Sequence, residues 1–555
     1  MKYSIVPRVK RAVEATGDFC FDALRVHMIG DGGQFIRTLK ALMPELPVEE
    51  VQDKSKNLTL SVATVFSAEP EYCYLRILPD RMEIQCRDKE GARNAACILA
   101  QIIKRQGNTY SIPCGSVEDW PDAQYRGYML ESSGRVWMSM EDIYRYLRVM
   151  AIARLNVMLF HFMEYSGCTI QFDCYPDWHG YGEDNLKFTK QQIRDMIAYA
   201  TELGIAVCPF VEVLSHSTTF NKAADIACPG DTDEHMYAVC VGQEKTYTAI
   251  EKVLREVVEL FPDPVLHIGG DEYDMSAVTP YTVHWAECPH CRALSKRMGY
   301  TTYRELFLYA VERVNTIVNS LGKVSMLWNA DIKPGEVPQL SRNIVMHFYR
   351  CDNTLGKEKH YQLWPDGYAD DGFAVLNSYH PQTYVDVAKF VTANKLSSWS
   401  YLYDPRVSPR NHAKVIGGCC CAWDDHEHFV RSIPASILLF ADRFWNAKGD
   451  HVPYDEDYGR AMTHALFEGQ LPDDMNVFRA VGSVLPPLEH NVKAHFKKLE
   501  ASIEEISAIK DALEALAAKD VPFAAIYADI AAASIDYLRE NSQYEVCKVA
   551  VEFDG

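Results

Sequence analysis

The stretch His267-Ile268-Gly269-Gly270-Asp271-Glu272 follows the apolar run Pro264-Val265-Leu266 and ends it with two adjacent carboxylates. A buried strand delivers acids into a pocket in this way. Apolar residues anchor it, two glycines let another group approach the backbone, and the acids emerge at the carboxyl end, where α/β barrels keep their chemistry. An isolated Asp-Glu pair at a strand end is more often a solvated junction, so the reading depends on what surrounds it.

Outward from this stretch, between residues 124 and 446, strand-like and helix-like segments alternate. The apolar strand candidates are Tyr128–Ser132, Asn156–Phe162, Ile205–Glu212, Val265–Gly270, Lys323–Asn329, Asn343–Tyr349, Phe373–Ser378 and Val415–Trp423. Eight of them, most separated by a helix, fit a parallel (β/α)8 TIM barrel better than a doubly wound sheet, which typically has about five or six. Ser139-x-x-Asp142, Thr189-x-x-Gln192 and Thr302-x-x-Glu305 are capping-box patterns that start helices. The helix over 189–203 places Ile193, Met196, Ile197, Ala200 and Leu203 on one face and stops at Gly204. The sixth crossover has the weakest helical pattern.

Residues 1–118 read as a small α+β domain, with strands over Tyr72–Leu78 and Met82–Cys86 and a helix over Gly91–Arg105. Asp119-Trp120-Pro121 breaks that pattern, and the barrel is expected over 119–450. Residues 451–555 read as a helical C-terminal region, with helices over Val492–Lys519 and Ala524–Leu538. Packing on the barrel and a homo-oligomer interface are both open roles for it.

A chain of 555 residues is too long for one core, and 48% hydrophobic residues suffice to fold two or three. The net charge of −20 disfavours nucleic acid and anionic membrane as partners, and a small neutral substrate fits better. Met1–Arg8 lacks the apolar core of a secretory signal, so a cytoplasmic location is expected, and the 17 cysteines are expected to be reduced. Cys288-Pro289-His290-Cys291 has no second pair at zinc spacing. It reads first as a loop feature, since a zinc site would need distant ligands such as Cys228 or Cys240. No metal and no cofactor are expected.

At the carboxyl ends of the eight strands stand Glu131 and Arg135, His161 and Glu164, Glu212 and His216, Asp271 and Glu272, Trp328 and Asp331, Tyr349, then Tyr379, Tyr384 and Asp386, and last Trp423, Asp424 and Asp425. Aromatic faces with a carboxylate rim suit a sugar ring, whose C–H face stacks on aromatic carbon while its hydroxyls donate to carboxylates.

His267–Glu272 resembles the H-x-G-G-D-E signature of glycoside hydrolase family 20, the β-N-acetylhexosaminidases. Further similarities follow in order: Ile5-Val6-Pro7, Asp119 to Gly127, Ala153-Arg154-Leu155-Asn156, Leu214-Ser215-His216-Ser217, Val375–Ser378 with Tyr384-Val385-Asp386, and Gly417–Trp423. The resemblance implies exo-acting hydrolysis of terminal β-linked N-acetylglucosamine or N-acetylgalactosamine, with the substrate's own acetamido carbonyl as nucleophile. It implies Glu272 as general acid and then base. Asp271 would be the ionised group that accepts the acetamido N–H, and Tyr384 a donor to the acetamido oxygen. Trp328 and Trp423 would be walls, with Tyr349 at the position of a third. Arg135, Glu164, Asp386 and Asp425 would read hydroxyls, and His216 and His267 would support the site. His161 reads as a core histidine.

Departures from the family pattern fall on the hydroxyl-reading positions: Glu131 for an Asp, Gly134 before Arg135, Glu164-Tyr165 for Asp-Asp, Phe348 or Tyr349 for a Trp, and Asp425 for a Glu. Each shifts a carboxylate by about one methylene or alters a wall, enough to change sugar preference. Two rival readings are a metal-dependent barrel hydrolase using Asp271, Glu272 and Asp274, and a glycan-binding barrel without turnover.

Overall fold

The computed structural model describes residues 3–52, 55–133, 136–231, 237–272, 284–330, 332–335, 339–350, 364–385, 399–403, 407–423, 429–448, 454–480 and 502–540. Eight strands form the barrel: Tyr125–Glu131, Val157–Glu164, Ala206–Val211, Val265–His267, Val324–Trp328, Val345–Phe348, Ala374–Asn377 and Val415–Ala422. Each lies parallel to the next. The eighth closes the ring on the first, from Gly417 opposite Tyr125 to Ala422 opposite Leu130. All eight sequence candidates are therefore barrel strands; seven are trimmed where their last residues turn into the site, and the second instead runs on to Glu164.

The triplet Cys419-Cys420-Cys421 shows the period of two directly. Cys419 and Cys421 face the barrel interior with Met129, Leu159, Phe210 and Met326, while Cys420 packs outward under the helices. Outside the strands, all three capping boxes form, with each side chain and its third-residue partner bonded reciprocally. The helix Lys190–Glu202 buries Ile193, Met196, Ile197 and Ala200, as its periodicity requires. The sixth crossover carries only the short helix Pro365–Asp370 among the described residues.

The N-terminal unit is an eight-stranded sheet with helices Gly33–Leu42 and Lys89–Ile102 packed on it. Cys73–Ile77 and Met82–Cys86 pair antiparallel as expected. The second helix starts two residues earlier than its pattern, at Lys89 on the Asp88 cap, and ends at Ile102 rather than Arg105. Lys104–Gln106 is instead a strand, because the hairpin over Gly107-Asn108 pairs it with Thr109–Ser111.

This unit meets the amino ends of the barrel strands through buried ion pairs. The fully buried Arg126 guanidinium donates to both oxygens of Glu71, at 3.0 and 2.7 Å. Arg154, also fully buried, lies 3.3 Å from Asp119 and stacks 4.3 Å over Trp445, whose indole N–H donates to Asp119. The motif from Asp119 to Gly127 thus seals the barrel floor, at the end opposite Asp271 and Glu272.

Helices Ile503–Ala517 and Ala524–Glu540 pack on each other, and Phe523 stacks on Tyr146 of barrel helix Met140–Ile152. The first starts at a Ser502/Glu505 capping box; the part of its predicted span before Ser502 lies outside the described residues. No helix among the described residues is long and apolar enough to cross a membrane.

Candidate active site

The fourth strand is only three residues long because the chain leaves the sheet at Gly269 and Gly270, both at positive φ (68° and 84°). A Cβ on Gly269 would lie 1.7 Å from Glu212 Oε2, so only glycine lets the buried Glu212 carboxyl sit beneath this turn. Glu212 Oε2 accepts the Gly270 N–H at 3.2 Å. Burial, and then the nearby Asp271 and Glu164, push the Glu212 carboxyl well above the usual carboxylate range.

A chain of neutral imidazoles fixes the same turn from the strand side. His267 Nδ1 accepts the Gly269 N–H at 3.0 Å, which puts its proton on Nε2, facing His347 Nδ1 at 3.1 Å. His347 Nε2 then donates to Ser378 Oγ at 2.7 Å, and that oxygen accepts the Cys419 N–H at 3.2 Å. Burial drives both histidine pKa values well below the ordinary value, so neither is charged. Four strands are tied to the turn that presents Asp271 and Glu272.

His216 is a cation at the centre of the site. Burial alone would lower its pKa, but Glu164 and Asp271 reverse this and raise it to about 9. Its Nδ1 lies 2.7 Å from Glu164 Oε1, and its Nε2 meets the Tyr237 hydroxyl. The same Nε2 is 3.8 Å from Asp271 and 3.8 Å from Glu272. One oxygen of each carboxylate and one His216 nitrogen therefore converge within 4.8 Å. His216 has both ring nitrogens engaged, Nδ1 by Glu164 and Nε2 by Tyr237, which favours a hydrogen-bonding role over a metal-binding one for this trio.

Asp271 is buried, and its Oδ1 has no hydrogen-bond partner among the described residues. Burial raises its pKa, His216 pulls it back, and the balance is about 6. Glu272 is more open, and its Oε1 accepts from Arg350 Nη1 at 3.1 Å. Arg350 also donates to the Tyr349 hydroxyl at 3.2 Å.

Aromatic rings enclose the far side. Tyr349 and Tyr384 stack with centroids 6.1 Å apart, and Trp423 stands 6.0 Å from Tyr384. Trp328 lies beneath them, 5.1 Å from Tyr349 and 6.2 Å from Trp423. It is fully buried and stacked 3.9 Å from His347, so it forms the floor under these rings rather than an open wall. His161 is a core residue stacked on Phe210.

The structure thus brings together Asp271, Glu272, His216, Trp328, Tyr349, Tyr384 and Trp423 of the residues singled out by sequence. Glu164, expected to read a hydroxyl, is buried and turned to His216 instead, and it also accepts the Tyr165 N–H. Arg135, Asp386 and Asp425, with Asp331, Asp424 and Asp274, lie outside the described residues. Sequence reading passed over Arg350, although it follows the sixth strand at the offset where other strands present polar groups. It also passed over Tyr237, which sits in a long crossover with no motif. The Cys288/Cys291 loop reading needs correction: these thiols are buried together with Cys228 and Cys240. The two pairs are far apart in sequence and meet only through the fold.

Comparison with known proteins agrees with this geometry. Residues 124–447 match the family described as glycosyl hydrolase family 20, catalytic domain. A beta-hexosaminidase of Vibrio furnissii is 25% identical over 373 residues, 60% of this chain and 58% of that protein. The mouse beta-hexosaminidase subunit beta is 23% identical over 392 residues, 64% and 66% of the two chains. The alignments thus span less than two thirds of these relatives. Among solved structures, a β-N-acetylhexosaminidase from Bacteroides fragilis superposes with a TM-score of 0.71 at 21% identity, over 83% of this chain and 94% of that one. An exo-β-N-acetylglucosaminidase of Vibrio harveyi in complex with N-acetylglucosamine gives 0.70 at 21% identity, over 85% and 77%. The family match covers more than half of the sequence and runs from the first barrel strand to the helix after the eighth: the chain belongs to glycosyl hydrolase family 20.

Proposed function

We propose that the protein is an exo-acting, retaining β-N-acetylhexosaminidase that removes terminal β-linked N-acetylglucosamine or N-acetylgalactosamine with the help of the substrate's own acetamido group. The carrying observation is that Asp271 and Glu272 converge on one His216 nitrogen from a single strand end. A two-carboxylate glycosidase needs its acids on opposite sides of the scissile bond. Two consecutive residues aimed at one point do not flank a sugar ring, so an internal nucleophile fits this site better.

In this reading Glu272 protonates the departing glycosidic oxygen and then takes a proton from the attacking water. Asp271 offers its unpartnered Oδ1 to the acetamido N–H and balances the cationic oxazolinium. Tyr384 donates to the acetamido oxygen, between walls formed by Trp423 and Tyr349 over the Trp328 floor. His216 holds both carboxylates in place, and Glu164 orients His216. The buried free thiols support a reducing compartment, and hence small imported glycans as substrates.

The test is release of p-nitrophenol from the β-N-acetylglucosaminide, the β-N-acetylgalactosaminide and the acetamido-free β-glucoside. Turnover of the first two only is expected. Glu272→Gln is expected to lose ~10²–10⁴-fold, and Tyr384→Phe ~10²–10³-fold. Cleavage of the glucoside at a comparable rate, or inverted product configuration by proton NMR, would remove the acetamido group from the mechanism.

A further inference from the structure

Cys228, Cys240, Cys288 and Cys291 come from two different crossovers and meet in the core. Cys228 and Cys240 follow the third barrel strand, and Cys288 and Cys291 follow the fourth. All four are buried, and their sulfurs lie within 4.8 Å of one another. Cys240 Sγ is 3.5 Å from Cys288 Sγ and 3.7 Å from Cys291 Sγ. Four thiolates at a zinc–sulfur distance of about 2.3 Å form a tetrahedron with edges of about 3.8 Å. A disulfide would bring two sulfurs to about 2.05 Å. The observed spacing is that of ligands around a shared centre.

The surroundings are built for such a centre. A Cβ on Gly242 would lie 2.3 Å from the His290 carbonyl carbon and 2.5 Å from the Cys291 nitrogen, so glycine is what lets the first loop lie flat against the Cys288–Cys291 turn. Cys288 is the N-cap of helix Pro289–Met298 and Cys291 lies in its first turn. Cys240 stands three residues before Gln243, the N-cap of helix Glu244–Leu260. Four thiolates and a divalent ion carry a net charge of −2, and two helix N-termini supply partial positive charge beside it. The buried Trp285 indole, three residues before Cys288, donates to the Val239 carbonyl beside Cys240 at 2.9 Å and so ties the two loops together.

We infer that the chain binds one zinc ion through Cys228, Cys240, Cys288 and Cys291, as a structural ion that fastens the crossover after the third strand to the crossover after the fourth. Four protein sulfurs leave no open coordination position, so the ion takes no part in turnover. Its place bears on the site all the same. Tyr237, which bonds His216, lies three residues before Cys240, and the fourth-strand crossover begins at Glu272. The ion thus anchors the loops on either side of the catalytic carboxylates, and this inference stands whether or not the proposed sugar specificity is right.

The experiment is metal analysis of the full-length protein, purified under reducing conditions from zinc-supplemented culture and passed over a chelating resin. About one zinc per chain is expected, with four sulfur neighbours at about 2.3 Å by X-ray absorption. Cys228→Ser and Cys288→Ser are expected to lose the zinc, while Cys20→Ser, at an exposed thiol, keeps it. Because those two variants risk misfolding, cobalt exchange into the wild-type protein supplies the second readout, with the charge-transfer and ligand-field bands of a tetrahedral tetrathiolate expected. Protein lacking zinc, with disulfides among these four cysteines on non-reducing peptide mapping, would overturn the assignment. So would iron in place of zinc, or cobalt bands without sulfur charge transfer.

Discussion

Replacing Gly269 by alanine should damage the site through two separable costs. The backbone sits at φ 68°, where a non-glycine residue pays ~1–2 kcal/mol. The new Cβ would also stand 1.7 Å from Glu212 Oε2 and 2.2 Å from its carboxyl carbon, an overlap that the buried Glu212 cannot relieve by swinging into solvent. Overpacking of this kind costs ~1–3 kcal/mol, for a total of roughly 2–5 kcal/mol. Gly322→Ala separates the two, because Gly322 has φ 77° and no atom within 4 Å of the added Cβ, so it bears the backbone cost alone. With several structural units in the chain, the readout is the midpoint of tryptophan-monitored thermal unfolding rather than an extrapolated free energy. We expect a fall of roughly 5–10 °C for Gly269→Ala against roughly 2–4 °C for Gly322→Ala. The same variant shifts the turn that presents Asp271 and Glu272, and a displacement of about 1 Å costs on the order of 100-fold in kcat/KM. Gly269→Ala that melts with Gly322→Ala and keeps kcat/KM within a factor of about three would show that Glu212 does not occupy the space beneath the turn.

Three further outcomes follow from charge. In the proposed reaction Asp271 has to be ionised to accept the acetamido N–H, and its pKa of about 6 then places an acid limb there, with kcat/KM falling as pH drops through it. His216 lowers that pKa, so His216→Asn should move the limb to higher pH; an unchanged or lower limb would contradict the assigned contact. For stability the sign is opposite. The His216 pKa is raised from 6.5 to about 9, so its contribution is complete below pH 6.5 and is lost as pH rises through about 9, measurable as a falling Tm across that window. At the barrel floor, Glu71→Ala strands the buried Arg126 charge and should cost about 3–5 kcal/mol, while Glu71→Leu with Arg126→Met should recover most of it. Equal melting of the single and double variants would refute that account.

The barrel was legible because its signals are local. Apolar runs bounded by capping boxes at Ser139, Thr189 and Thr302 locate strands and helices without reference to anything distant. The Asp271-Glu272 pair could be read for the same reason, being attached to its strand. What sequence left hidden depends on contacts between crossovers. Glu164 stands at a strand end like the other site residues, yet its direction is decided by His216, 52 residues on. Cys288 and Cys291 carry a recognisable spacing, but their partners Cys228 and Cys240 are placed only by the packing of adjacent loops. The overlong helix to Arg105 is a competition of the same kind: a helical pattern lost to a hairpin that needs Thr109 to form.

The charge arrangement explains why the site tolerates so many buried acids. Glu164 is neutralised by His216, Glu272 faces Arg350, and Glu212 is pushed toward its neutral form under the glycine turn. Among the described residues that leaves Asp271 with half of its carboxylate uncommitted. A hydrolase that stabilised a negatively charged intermediate would place donors at this point. A buried, unpartnered carboxylate oxygen favours instead a ligand that brings an N–H in the ground state and positive charge as the bond breaks. That requirement is met by an acetamido sugar closing to an oxazolinium. It is not met by a plain glucoside, whose 2-hydroxyl could donate to the same oxygen but gains no charge beside it. Under the proposed function a preference for acetamido substrates should therefore be expressed mainly in kcat rather than in KM, and Asp271→Asn should erase that difference while leaving KM, which in that reading rests on ring contacts with Tyr349 and Trp423, little changed.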